Sequence, residues 1–117
     1  AEYTNVVRSR FVRREIRSLS DPDRNTFFDA AEVLFNTSCD EGKAIYGDFF
    51  ECIDVFTRLH NTLAGDPYCD HMHDGYGFLI SHAALTLWFE RVLQTVEPSV
   101  TVPYWDYTIE GEQVIQA

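Results

Sequence analysis

The feature that most constrains the fold is a run of residues at helical spacing in the C-terminal half of the chain. Their steps of four, three, four and three place them on one face of an α-helix, and they are Phe78, His82, Leu85, Phe89 and Val92. The pattern predicts a helix over about 77–94 with His82 on its buried face. An imidazole buried without a partner costs about 1 to 3 kcal/mol. His82 therefore needs a hydrogen bond within the core or a ligand.

A second stripe of the same kind precedes it and predicts a helix over about 48–63. Its members are Phe49, Ile53, Phe56, His60 and Leu63. Asp48, followed by Glu51 three residues later, reads as the cap of this helix and places His60 in its final turns. Two helices therefore each carry an inward histidine.

A third histidine, His73, stands nine residues before His82. Three neutral imidazoles converging from facing helices are typical of a transition-metal site, and imidazole suits copper, zinc, iron and nickel alike. The spacing predicts a metal site but does not choose the metal.

The segment 61–77 between the two helices is rich in glycine and predicts an irregular loop. It contains His71 as well as His73, and the nine-residue distance to His82 favours His73 as the ligand, with His71 as the alternative. Asp70 and Asp74 could orient imidazoles, although acidic loop residues are more often only solvated.

The histidine pattern, together with two later motifs, resembles the first copper-binding half of the tyrosinase and haemocyanin family. The matching elements are His60, then His73-x8-His82, then Phe89-Glu90, then Pro-Tyr-Trp-Asp at 103–106. The run 13–24 is also similar to the lead-in of that family. One departure is Ser81-His82-Ala83, where the family often reads Trp-His-Arg.

The resemblance implies an all-α fold, the helical-bundle core of the N-terminal half of a tyrosinase-like copper domain with irregular loops. It covers 1–117, with an extended lead-in over 1–19, helices over about 21–36, 48–63 and 77–94, and a turn at 103–107. His60, His73 and His82 would hold one copper. Phe89, Glu90 and Asp106 would support the site from behind the ligands, although Glu90 could equally form a surface ion pair with Arg91 or Arg58.

In that family an intact domain holds two coppers on six histidines, and each Cu(I) supplies one of the two electrons that reduce dioxygen. This sequence has four histidines and none after His82. The expected partner is therefore the second copper half or another protein chain, with dioxygen and a phenolic small molecule as substrates. We expect the 117 residues alone to have little catechol oxidase activity. A haemocyanin-like oxygen carrier and an inactive half-domain serving as a structural or interaction subunit are the alternatives.

The charge of the chain limits its partners. A formal net charge of −10 argues against nucleic acid, and no apolar run approaches the roughly 18 residues that span a bilayer. Five arginines fall within residues 1–19 and form either a docking arm for an acidic partner or, as we prefer, a solvated strip that pairs with the chain's own carboxylates.

Three cysteines permit one disulfide and one further thiol, with a fully reduced intracellular set as the alternative, and Cys69 is expected to be a disulfide partner. By resemblance, Cys69 is alternatively the sulfur of a thioether to a histidine. Asn36-Thr37-Ser38 is an acceptor pattern for glycosylation. Together these features favour a secreted or lumenal protein.

Two further segments complete the sequence-based prediction. Ser20, with an acidic residue three positions on and Pro22 in the first turn, predicts the start of a helix that ends near Asn36. Residues 39–47 read as a connection broken by Gly42 and Gly47. The aromatic segment 103–107 is expected to close the bundle, with Asp106 accepting backbone N–H bonds.

Overall fold

A computed structural model describes residues 11–65 and 68–115, with side chains as far as residue 111. It contains five α-helices: α1 (Asp21–Asn36), α2 (Cys39–Tyr46), α3 (Ile53–Ala64), α4 (Gly77–Val96) and α5 (Thr108–Ile115). A single 3-10 turn, Ile16–Ser18, precedes them. Over these ranges the chain has no strand or sheet, which confirms the all-α prediction.

Helix α1 begins and ends where the sequence predicts. The Ser20 side chain accepts a hydrogen bond from the Asp23 amide, so it satisfies one of the amides that the first helical turn leaves free. Helix α4 also lies at its predicted position and runs two residues further, to Val96. None of the described helices is long and apolar enough to cross a membrane.

Helix α3 begins five residues later than predicted. Its N-cap residue is Cys52 rather than Asp48, and the exposed Phe49 lies outside the helix. The chain between the predicted and the observed start turns inward to bury the side chain of Phe50 completely. The stripe from Ile53 to Leu63 is helical as predicted, and His60 lies one turn before its end.

The segment predicted as a broken connection instead forms helix α2. Gly42 is buried within that helix, and a Cβ atom there would lie 2.0 Å from the ring of Phe50. Gly42 is therefore needed for close packing and does not interrupt the helix. Gly47 does end α2, with a φ of 95° that a residue with a side chain rarely adopts.

The core lies where α1 packs against α3 and α4. Its buried side chains come from α1, the segment after α2, and the later helices, and they include Leu34, Phe50, Phe56, Val92 and Leu93. Aromatic packing joins α3 to α4, since the ring of Phe56 lies 4.6 Å from Trp88 and 5.3 Å from Phe89 between centroids.

The cysteines pair differently from our expectation. Cys39, the first residue of α2, forms a disulfide with Cys52, the N-cap residue of α3, and Cys69 is free and exposed. The expectation that Cys69 is a disulfide partner is therefore wrong within this chain. The bond joins the starts of two consecutive helices, which are close in space because the intervening chain folds back.

The described part of the lead-in, residues 11–19, contains the 3-10 turn and lies beside the aromatic segment. The Ile16 amide donates to the Tyr104 carbonyl at 2.8 Å, and the Tyr104 amide donates to the Arg14 carbonyl at 3.0 Å. Glu15 and Tyr104 thus form an isolated parallel bridge.

The arginines of the lead-in pair with carboxylates of this chain. Arg14 binds Asp23 at 2.7 Å, and Arg17 binds both Glu15 and Glu110. The preferred interpretation, a strip that pairs with the chain's own acids, is confirmed for these arginines. Arg8 and Arg10 lie outside the described residues.

Glu90 is the buried partner of Arg13. Its carboxylate receives two hydrogen bonds from the Arg13 guanidinium, at 2.8 and 3.1 Å, and one from the Val102 amide at 2.9 Å. The predicted surface pair with Arg91 or Arg58 is therefore wrong. Glu90 joins α4 to the lead-in and to the segment after α4, two elements that lie far apart in the sequence.

The aromatic segment does not close the bundle within the described part of the chain. Tyr104, Trp105 and Tyr107 are all more than half exposed. Asp106 does accept a backbone hydrogen bond, as predicted, from the Thr108 amide at 3.1 Å. Its carboxylate therefore stabilises the start of α5.

Candidate metal centre

The structure brings His60, His73 and His82 together. One ring nitrogen from each lies within 4.8 Å of the others. The ring centroids are 5.2 Å apart for His60 and His73, 5.9 Å for His60 and His82, and 5.4 Å for His73 and His82. His60 and His82 are half-buried and His73 is exposed, so the cluster is open on the side of His73.

His82 is oriented by its own helix. Its Nδ1 lies 2.8 Å from the carbonyl oxygen of Phe78, one turn earlier in α4, and the ring of Phe78 lies 4.5 Å from the imidazole. A carbonyl oxygen can only accept, so Nδ1 of His82 carries the proton and Nε2 keeps its lone pair free. The half-buried position corrects the prediction that His82 is buried.

His60 approaches from the C-terminal end of α3. The last turn of that helix also holds the following loop, because the carbonyl of Leu63 accepts a hydrogen bond from the His71 amide at 2.9 Å. This bond brings the start of the His71–His73 segment beside the turn that carries His60.

His73 is the one member of the cluster that lies on a loop. Asp70 makes three hydrogen bonds in this loop, each of 2.8 Å. Its Oδ1 accepts from the backbone amides of Met72 and His73, and its Oδ2 pairs with Nδ1 of the His73 ring. Met72, between the two loop histidines, is buried. The loop is thus anchored by one apolar side chain and one carboxylate.

Asp70 remains ionised to lower pH than an ordinary aspartate. Partial burial alone would raise the pKa of Asp70, but the hydrogen bonds from His73 and Met72 outweigh it and lower the pKa overall. At neutral pH the carboxylate is therefore an acceptor, and His73 Nδ1 carries the proton. His73, like His82, leaves Nε2 free to bind a metal.

His71 does not join the cluster. Its Nε2 lies 3.1 Å from the sulfur of Cys69. The structure thus places His73, and not His71, beside His60 and His82, and the choice of His73 as the ligand stays a prediction.

The residues expected behind the ligands have other contacts. Phe89 packs edge-on against Phe56, Glu90 binds Arg13, and Asp106 binds Thr108. Asp70, by contrast, does contact an imidazole of the cluster, that of His73, while the described contacts include none between Asp74 and an imidazole. The sequence signal for Asp70 is its position three residues before His73, a spacing at which a carboxylate reaches the following backbone amides in a tight turn.

The donor set fits a transition metal that binds imidazole. In His73 and His82, Nδ1 is hydrogen-bonded to an acceptor. This arrangement leaves Nε2 as the nitrogen that can bind a metal. Three imidazoles accept copper, zinc, iron or nickel. The side chains thus define a candidate metal centre without selecting the ion.

An exposed apolar surface surrounds the N-terminal part of α4. Leu79 and Ile80 are 73% and 74% exposed, and Tyr76 is fully exposed. Large apolar side chains exposed at neighbouring positions of one segment often mark an interaction surface.

An all-helical fold with a cluster of three imidazoles is typical of proteins that bind a metal through histidine. Comparison with known proteins then gives the family: residues 51–116 match the family model described as the common central domain of tyrosinase. The chain belongs to the tyrosinase family. That membership implies copper as the metal that the three histidines could bind.

Three relatives illustrate the extent of the similarity. A tyrosinase-like protein of Pinctada maxima is 32% identical over 100 residues, which cover 85% of this chain and 19% of that protein. Grixazone synthase of Streptomyces griseus is 40% identical over 63 residues, which cover 49% of this chain and 21% of that protein. Tyrosinase of Streptomyces antibioticus is 38% identical over 60 residues, which cover 49% of this chain and 22% of that protein. The chain spans about a fifth of the length of these curated relatives.

Proposed function

We propose that this chain supplies one three-histidine copper site of a type-3 copper oxidoreductase that oxidises phenols or catechols with dioxygen. His60, His73 and His82 are the proposed ligands of a single copper ion. The observation that carries the proposal is the convergence of these three rings in a chain of the tyrosinase family. Two of the relatives bear the enzyme names tyrosinase and grixazone synthase, which favours an oxidase over an oxygen carrier.

The residues of this chain would position the metal and leave room for substrate. Neutral Nε2 atoms of His73 and His82 are available because their Nδ1 atoms are committed to Asp70 and to the Phe78 carbonyl. When bound, copper supplies the redox chemistry, one electron for each Cu(I). The open side near the exposed His73 would admit dioxygen and a phenol.

The exposed apolar surface around Leu79 and Ile80 supports the need for a second partner. In the proposed protein, a second copper half or another chain covers this surface and completes a two-copper site. We therefore expect the 117 residues alone to turn over a catechol poorly.

A secreted or lumenal location is also proposed. The disulfide between Cys39 and Cys52 is favoured in an oxidising compartment. On the secretory route, the exposed Asn36 at the end of α1 would be a site of glycosylation.

The test is copper content per chain, measured by elemental analysis together with intact mass on the protein from its natural source. The variants His60→Ala, His73→Ala and His82→Ala should each lose the copper of this site. His71→Ala is the matched control, because it removes the same side chain from the same loop and should keep the copper.

Two results would contradict the proposal. One is a natural protein that takes up no copper. The other is a His71→Ala variant that loses copper as completely as His73→Ala does. Turnover of a catechol to the quinone, followed by absorbance in the same samples, separates an oxidase from an oxygen carrier.

A further inference from the structure

The three candidate ligands differ in the structure that positions them: two lie on helices and one lies on a loop. His60 and His82 lie on α3 and α4, whose backbones fix the direction of each side chain. His73 lies between α3 and α4, where the described residues 65 and 68–76 form no α-helix, and its side chain is 44% exposed. Its position must therefore come from local contacts within the loop.

Asp70 makes those contacts with both of its carboxylate oxygens. Oδ1 holds the amides of Met72 and His73 in a tight turn, and Oδ2 faces the His73 ring at 2.8 Å. The first pair of bonds sets where the backbone of His73 lies. The third sets how its ring is turned and which nitrogen carries the proton.

We infer that Asp70 is the positioning residue of the metal site, directing Nε2 of His73 rather than Nδ1, or the ring of His71, toward the ion. The inference rests on the proposed function, which it deepens by assigning the loop ligand its orienting partner. A carboxylate behind a ligating imidazole fixes the tautomer and raises the basicity of the ligating nitrogen.

The same turn separates the two loop histidines. His71 directs Nε2 to the sulfur of Cys69, and its amide is bound to the Leu63 carbonyl. His73 follows two residues later with its ring against Asp70. Because Met72 between them is buried, the two histidines cannot exchange places without breaking the turn.

The variant Asp70→Asn distinguishes orientation of the ring from maintenance of the turn. An asparagine retains one carbonyl oxygen, which can still accept from the amides of Met72 and His73, but it then presents its NH2 group to the His73 ring. That donor favours the proton on Nε2, the atom that should bind the metal. Asp74→Asn is the matched control, because it removes the same charge one residue after His73 without a ring contact.

The first readout needs no metal. Long-range proton–nitrogen NMR correlations of the histidine rings, recorded on the full-length protein at about pH 8.5, well above the ordinary imidazole pKa of about 6.5, identify the tautomer. We expect the His73 proton on Nδ1 in wild type and in Asp74→Asn, and on Nε2 in Asp70→Asn.

The second readout is copper affinity, measured by competition with a chelator of known affinity. We expect Asp70→Asn to bind copper about 10- to 100-fold more weakly than wild type and Asp74→Asn to match wild type within about twofold.

The outcomes separate this inference from the proposed function. A wild-type His73 with its proton on Nε2, or an Asp70→Asn variant with an unchanged tautomer or an affinity equal to that of Asp74→Asn, overturns the inference. The expected tautomers in a protein that takes up no copper would support the orienting role of Asp70 and contradict the proposed function alone.

Discussion

The two halves of α4 have opposite surroundings. In its C-terminal half, Glu90, Val92 and Leu93 are buried against α1, α3 and the segment after the helix. In its N-terminal half, Leu79 and Ile80 are largely exposed and His82 is half-buried. One half therefore belongs to the core of this chain, while the other presents the candidate metal site.

The core and the candidate metal site therefore depend on separate sets of contacts. The C-terminal half is stabilised by apolar burial and by the Arg13–Glu90 pair. The candidate site depends on hydrogen bonds within one helical turn and within one loop. Substitutions in the two halves should therefore separate effects on stability from effects on copper binding.

The largest expected difference comes from the same substitution made in each half. Leu93→Ala removes a side chain that is 0% exposed and should lower the free energy of unfolding by about 2 to 5 kcal/mol. Leu79→Ala, in the exposed half, should change it by no more than about 0.5 kcal/mol. Urea unfolding followed by circular dichroism measures both. Equal losses would show that the N-terminal half is also packed in solution.

A glycine on the core side should give the next largest effect. In an ordinary helix Gly→Ala stabilises by about 1 kcal/mol, but at Gly42 the new methyl group would meet the buried Phe50 ring. We expect Gly42→Ala to destabilise by about 1 to 3 kcal/mol. Gly111→Ala, in α5 with open space around it, is the control and should be neutral or stabilising. A stabilised Gly42→Ala variant would mean that Phe50 does not pack on α2.

A third effect, comparable in size to that at Gly42, is the pH dependence of the Glu90 contact. Burial alone would raise the pKa of Glu90, but the hydrogen bonds from Arg13 and Val102 outweigh it and bring the pKa below its ordinary value of 4.5. The folded state then binds fewer protons than the unfolded state, so the stabilisation is complete above about pH 4.5 and is lost as pH falls through the folded pKa.

Comparison of wild type with Glu90→Gln isolates this contribution. At neutral pH wild type should be more stable by about 1.5 to 3 kcal/mol, the usual value of hydrogen bonds to a charged group. The advantage should shrink as the pH is lowered below 4.5. Thermal unfolding at a series of pH values measures it, and an advantage that persists undiminished in acid would contradict the assignment.

The sequence predicted the parts of the molecule that depend on local periodicity. The helical spacing around His60 and His82 and the Ser20 cap are properties of a few neighbouring residues, so α1 and α4 were predicted nearly to the residue. The family resemblance added the expectation of copper, which membership in the tyrosinase family supports.

The errors concern contacts between distant residues. Gly42 was predicted to break the chain into a connection. The Phe50 ring leaves no room for a side chain at Gly42, and that contact exists only in the folded chain. Glu90 was assigned to the site or to the surface because its partner, Arg13, lies 77 positions away. Asp70 was considered but not preferred, since its hydrogen bonds to Met72 and His73 depend on the conformation of a loop.

The docking of the lead-in has a consequence for how the chain is made. Glu90, the partner of Arg13, is synthesised 77 residues after it. Thr101, which donates to the Val12 carbonyl, is synthesised 89 residues after Val12. At about 5–20 residues per second, roughly 4 to 18 s of synthesis separate these partners. During that time the arginine-rich lead-in has left the ribosome without its carboxylate on α4. Arg13 of the nascent chain is thus without its buried partner until α4 has been made, whereas Arg14 and Arg17 have Asp23 and Glu15 close by in the sequence.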